Sequence, residues 1–220
     1  MGPRNAVIFD FDLTLADSAR GARECSNHAL EAMGRSPQAD TAIDATVGLT
    51  LREAYTRLTG RQDPAESERY ATLFVERADQ VMAELTTFYP GTAPTLRWLR
   101  RQGMPVGIVS TKLLRRISGL LEREGLAELV AVVVAWEDVD APNPAPDGLH
   151  RVLRAFGDLD SAIYVGDSVV DARAAVAAGV PFVAVGTGPT PAADLLAHGA
   201  RTVLADVGAL PDWVVNERSG

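Results

Sequence analysis

Short, uninterrupted apolar runs recur along this chain at intervals that leave room for a helix between them, and the recurrence stops between residues 17 and 88. The runs are Val7-Ile8-Phe9, Val106–Ser110, Leu129–Ala135, Ala162–Val165, Pro181–Val185 and Thr202–Ala205. Runs without polar alternation belong to strands covered on both faces, which is the situation of a parallel sheet wrapped by helices. The intervening helices include Leu113–Glu124 and Val169–Ala178. Residues 17–88 read as helix only. One helix spans Ala19 to Met33 and ends at Gly34, a C-terminal signal; Asp63-Pro64-Ala65-Glu66 then supplies an N-cap, a first-turn proline and a glutamate for a second helix. That second helix carries Tyr70, Phe74, Ala78, Val81 and Leu85 on one stripe. The division expected is an α/β core from residues 1–16 and 89–220, with a helical cap of 17–88 inserted into it. Pro142, Pro144 and Pro146 mark a rigid loop, and the residues from about Asn216 read as a loose end.

Two of these runs end in paired acids: Asp10 and Asp12 after Val7-Ile8-Phe9, and Asp167 and Asp171 after Ala162-Ile163-Tyr164-Val165-Gly166. Residues two apart in extended chain point the same way, so Asp10 and Asp12 can share a pocket unless the backbone bends between them. Asp167 and Asp171, four apart, can share a face of the helix that begins there, and Gly166 permits a close backbone approach. Open α/β sheets bind ligands outside the carboxyl ends of their strands. Acids delivered to one edge by two strands repel each other, and a hard cation makes such crowding tolerable. Together the clusters point to magnesium-assisted phosphoryl transfer.

A net charge of -8 and a pI near 4.9 argue against non-specific binding to nucleic acid or to an anionic membrane. Cys25 is the single cysteine, so no intramolecular disulfide forms, and it reads as a small buried hydrophobe. The apolar run before Asp10 is too short for a signal peptide and no stretch approaches a transmembrane span, so a cytoplasmic location is expected. The sequence specifies neither the substrate nor the oligomeric state.

The motifs, in this order, resemble those of the haloacid dehalogenase superfamily, in particular phosphatases of the phosphoglycolate phosphatase type with a helical cap. Asp10-Phe11-Asp12-Leu13-Thr14-Leu15 matches the first motif, Ile108-Val109-Ser110 the second and Gly166-Asp167-Ser168-Val169-Val170-Asp171 the fourth. The resemblance implies a Rossmann-like core and a Mg2+-dependent phosphatase acting on a small phosphorylated metabolite. By resemblance Asp10 is the nucleophile of an aspartyl-phosphate intermediate, and Asp12 protonates the leaving oxygen and then activates water. The same resemblance gives Mg2+ to Asp10, the backbone carbonyl of Asp12 and Asp167, with Asp171 orienting the shell or binding through water. Ser110, ending a strand before a helix, can offer its hydroxyl and neighbouring N–H groups, including that of Thr111, to phosphate oxygens.

One motif departs. The third is a lysine usually followed by proline, and here the proline-rich loop has Asn143-Pro144. An asparagine amide donates hydrogen bonds but carries no charge. Lys112, the only lysine of the chain, lies two residues past Ser110 and is the candidate replacement. Arg115 and Arg116 are the others, although Leu113, Ile117 and Leu120 mark the buried stripe of their helix and put both arginines on its solvated face. In the cap, Thr46-Val47-Gly48-Leu49 with Arg52 resembles a loop lowered over substrate, with Arg52 gripping a second anionic group. Asn27 and His28 lie on the first cap helix, where a histidine is more often structural or solvated than a ligand.

Three neighbouring activities are weighed by the same residues. The cap has no lysine for Schiff-base chemistry, which argues against phosphonoacetaldehyde hydrolase-like relatives. Halocarbon-cleaving relatives lack the second acid of the first motif, and Asp12 is present. A phosphomutase stays compatible, because the aspartyl-phosphate can return its phosphoryl group to a sugar. From a different class, Asn143 leaves open a catalytically weak phosphate-binding protein.

Overall fold

The structure is a computed structural model and describes residues 5–219. Six parallel strands form one sheet: β1 (Asn5–Phe9), β4 (Val106–Val109), β5 (Val132–Val134), β6 (Ser161–Gly166), β7 (Phe182–Val185) and β8 (Ala200–Leu204), in the order β5-β4-β1-β6-β7-β8. β1 is central and shows why the sheet needs helices on both sides. Val7 and Phe9 point into one apolar cluster, Ala6 and Ile8 into another, and all four are buried. Helices α5 (Thr92–Arg101) and α6 (Leu114–Arg123) cover the first face together with α10 (Leu210–Ser219). The second face is covered by α7 (Asp147–Phe156), α8 (Val169–Ala178) and α9 (Ala192–Ala197).

The chain leaves the sheet after β1 through β2 (Ala16–Asp17) and returns through β3 (Thr87–Phe88), which pair antiparallel, Ala16 with Phe88 and Asp17 with Thr87. Between them stand α1 (Ala19–Ala32), α2 (Asp40–Asp44), α3 (Leu51–Thr59) and α4 (Pro64–Leu85). This segment has its own core of Cys25, Leu30, Tyr55, Tyr70, Phe74 and Met82. Asp63 caps α4 through its carboxylate, which accepts from the Ala65 and Glu66 amides at 2.8 and 3.1 Å. Burial pushes the Cys25 thiol up to about 11, so it sits there as a hydrophobe.

Four expectations are corrected. The stripe of α4 runs through Met82, while Val81 and Leu85 are only partly buried, because the α1–α4 contact is drawn in where Gly21 meets Met82. The run from 129 to 135 pairs with β4 only over Val132–Val134; as the edge strand it has one neighbour, and its first residue, Leu129, ends the 3-10 turn Ala127–Leu129. Residues 17–88 are not helix alone, since Asp17, Thr87 and Phe88 form the small ribbon. Where a loose end is expected from about Asn216, the chain continues as α10 as far as Ser219. Residues 1–4 of the expected core lie outside the described residues.

Candidate active site

β1, β4 and β6 are neighbours, so their carboxyl ends open side by side where the strand order reverses, the place where open α/β sheets bind ligands. Asp10 follows β1, Ser110 follows β4 and Asp167 follows β6. Asp171 comes from the first turn of α8, which is capped reciprocally: Ser168 Oγ accepts from the Asp171 amide, and the Asp171 carboxylate accepts from the Ser168 amide, each at 3.2 Å. The close approach expected at Gly166 is present, since a Cβ there would lie 2.7 Å from Asp171 Cβ.

Asp10, Asp167 and Asp171 are buried, and each offers a carboxylate oxygen within 4.8 Å of the other two. Burial first, and then the Asp171, Asp167 and Asp12 charges, hold the Asp10 carboxyl well above the ordinary carboxylate value. Asp167 is raised in the same way by burial and Asp171, and Asp171 by burial. Three neighbouring buried acids make an all-oxygen donor set of the kind that suits a hard cation.

Asp12 stands beside this group but turns to a different partner. The backbone bends after it: Leu13 takes a φ of 58°, and the Leu15 and Ala16 amides both donate to the Phe11 carbonyl at 3.0 Å. Lys112 Nζ donates to Asp12 Oδ1 at 2.7 Å with a side chain only 8% exposed, and lies 5.7 Å from the Phe11 ring centroid. Of the candidate cations, Lys112 is the one that enters the site.

Asn143 is buried next to Asp171, to which its amide donates at 3.4 Å, and it also donates to Tyr164 Oη at 3.2 Å. Its carbonyl oxygen is buried without a partner. Ser110 is buried at the end of β4 and accepts from the Lys112 amide at 3.3 Å. Thr111 Oγ1 donates to the Gly48 carbonyl at 3.4 Å, which places the Thr46–Leu49 loop over the strand ends. Arg52 lines the cavity beneath that loop and pairs with Glu68 at 2.5 Å.

The arginine pair on α6 needs a correction. Arg115 is exposed, but Arg116 is only 13% exposed: both reach Asp79 of α4, and Arg116 also donates to the Val75 carbonyl at 3.1 Å. α4 covers the face that would have been solvent had the core stood alone. Asn27 and His28 stand away from the site. Asn27 exchanges hydrogen bonds with the Gln38 backbone at 2.8 and 3.3 Å, and His28 is exposed.

Several residues to which the sequence analysis assigns no role complete the site. Thr14 Oγ1 donates to Asp167 Oδ1 at 3.0 Å, and Tyr164 Oη donates to Asp171 Oδ1 at 2.8 Å. Thr187, after β7, donates to the Leu13 carbonyl and holds the bend after Asp12. Gly188 brings its backbone so close to Asp167 that a Cβ would strike the carboxylate.

Residues 7–185 match the family model of haloacid dehalogenase-like hydrolases. Phosphoglycolate phosphatases from Rhodobacter capsulatus and Rhodospirillum rubrum are each 32% identical to the chain, over 95% of it and over 96% and 90% of their own lengths. A solved structure from Bacteroides fragilis, bearing a haloacid dehalogenase-like hydrolase designation, is 36% identical and superposes with a TM-score of 0.91 over 94% of this chain and 99% of its own. By sequence and by fold, the chain belongs to the haloacid dehalogenase-like hydrolases.

Proposed function

We propose that the chain is a Mg2+-dependent phosphatase that hydrolyses a small phosphorylated metabolite through an aspartyl-phosphate on Asp10. The observation that carries this reading is the buried triangle of Asp10, Asp167 and Asp171 within 4.8 Å, with the Asp12–Lys112 pair beside it. Relatives named phosphoglycolate phosphatase support the phosphomonoester class.

Asp10 attacks phosphorus, the ester P–O bond breaks, and Asp12 gives its proton to the departing alkoxide. Asp12, now a carboxylate, takes a proton from water as that water attacks phosphorus; phosphate leaves and the Asp10 carboxylate is restored. Ser110 and the amides after it bind the phosphoryl oxygens, and Lys112 brings the fixed positive charge that Asn143 lacks. Asp10, Asp167 and the Asp12 carbonyl, with Asp171 behind them, would hold Mg2+, which would supply positive charge to offset that of the nucleophile and the phosphoryl oxygens. In this reading residues 17–88 form the cap, and residues up to 16 with those from 89 onward form the core. The acidic surface suits a cytoplasmic enzyme for soluble metabolites.

Phosphate release from an aryl phosphate in Mg2+ tests the proposal: the wild type turns over and Asp10→Asn does not. The uncharged Asn143 beside Asp171 favours one alternative, a weak phosphate-binding protein. That alternative is established if wild type and Asp10→Asn are equally silent while Asn143→Lys gains activity.

A further inference from the structure

The cavity leading away from Asp12 and Lys112 has a volume of about 620 Å³, within the range that accepts ligands of drug size. A two-carbon acid esterified to phosphate would leave most of it to water. Its walls are largely apolar, with Val47, Leu49, Phe74, Val75 and Met82 among them. At its rim Trp136 is 42% exposed, an indole face left to solvent beside a site where a ligand could cover it.

Charge narrows the occupant further. The lysine and arginines lining the cavity are Lys112, Arg52 and Arg116, and each already meets a carboxylate: Asp12 at 2.7 Å, Glu68 at 2.5 Å and Asp79 at 2.7 Å. Glu68 and Glu76 are themselves lining residues. A carboxylate on the substrate would enter an apolar space with its cations taken and further acids on the wall, at the cost of its own hydration.

We infer, on the strength of the phosphatase reading above, that the alcohol this enzyme releases is bulky, mainly apolar and free of a carboxylate. The cavity binds that group, with Trp136 closing over it, while the phosphoryl group sits on Ser110 and the acid cluster.

Primary alkyl phosphates test this cleanly, because lengthening the chain from ethyl to hexyl leaves the acidity of the leaving alcohol almost unchanged. Each methylene buried is worth about fourfold. With Mg2+ present, kcat/KM is expected to rise at least about tenfold from ethyl to hexyl phosphate. Hexyl phosphate is expected to exceed phosphoglycolate by a similar factor, and Trp136→Ala to shrink the hexyl-to-ethyl ratio severalfold. A flat series, phosphoglycolate as the better substrate, or a ratio unmoved in Trp136→Ala would overturn the inference. Calorimetric binding of hexylphosphonate against 3-phosphonopropionate in Mg2+ repeats the comparison without turnover. A silent assay with hexylphosphonate bound more tightly removes the phosphatase reading and supports the cavity assignment; tighter phosphonopropionate overturns the assignment whatever the assay gives.

Discussion

Lys112 Nζ meets Asp12 Oδ1 at 2.7 Å, a contact between residues one hundred positions apart that follows from strand order. β4 lies beside β1 in parallel register, Phe9 opposite Ile108, so the residues just past the two strand ends stand abreast. Position 112 then needs only the length of a lysine to reach Asp12. Asn143 enters from the loop before α7 and addresses Asp171 instead. A positive charge is present at this sheet edge, delivered by β4 instead of the proline-rich loop.

Removing that charge is expected to slow the reaction. Lys112→Met keeps the apolar stem over Phe11 and should lower kcat by about 10²- to 10³-fold, the scale of a lost preorganised electrostatic contact. Asn143→Lys in the same background should recover part of the loss, because it places an ammonium on the opposite flank of the acids. Steady-state kcat on an aryl phosphate measures both, and a Lys112→Met variant with wild-type kcat would show that Lys112 has no electrostatic part in turnover.

The acid cluster makes a prediction about metal removal. Asp10, Asp167 and Asp171 are all raised above the ordinary value of 3.8 by burial, and Asp10 and Asp167 also by neighbouring carboxylates. As pH climbs past that value, the unfolded chain loses these protons while the folded chain keeps them, so the unfolded state gains and stability falls until the folded carboxyls ionise. Metal-free protein should therefore show a Tm that declines from about pH 4 upward. Mg2+ competes with the retained protons, so the Tm gain on adding it should grow with pH. Thermal denaturation across pH with chelator or with Mg2+ checks this, and a metal effect independent of pH would contradict it.

The parts of the molecule visible in the sequence are those whose physics is local. β1 and β6 announce themselves because strands buried on both faces have no polar positions, and α8 because Ser168 and Asp171 form a cap within one turn. The contacts that complete the site join residues far apart in the chain. Thr14 and Asp167 are 153 positions apart, and Gly188 looks like any loop glycine until β7 carries it against Asp167. Arg116 shows the same limit: periodicity placed it on an open face of α6, and α4, from a distant stretch of chain, covers that face.

Gly188 has no positive φ, but a Cβ there would strike Asp167 Oδ2 and lie 2.8 Å from Asp167 Cβ, so the whole Asp167 side chain must give way. Gly188→Ala should displace Asp167, and its carboxylate with it, from the acid cluster. The expected result is a Mg2+ half-saturation raised at least about tenfold with a change in Tm of only a few degrees, in line with the metal-affinity losses seen when supporting groups around ligands are altered. A Mg2+ titration of activity beside a melting curve separates this from general destabilisation.

Glu68 controls what Arg52 can do. The two side chains pair at 2.5 Å on the cavity wall, and both are well exposed, so the pair contributes little to stability while cancelling the Arg52 charge where substrate would meet it. Glu68→Gln keeps the shape and the hydrogen-bonding capacity but leaves the guanidinium uncompensated. An arginine so freed can take a carboxylate with two parallel N–H donors. For this variant kcat/KM on phosphoglycolate should rise severalfold while that on ethyl phosphate stays nearly level, and the gain should shrink as salt screens the new attraction. Equal changes for both substrates would mean that Arg52 does not face the leaving group, and that Glu68 is not what keeps a carboxylate from it.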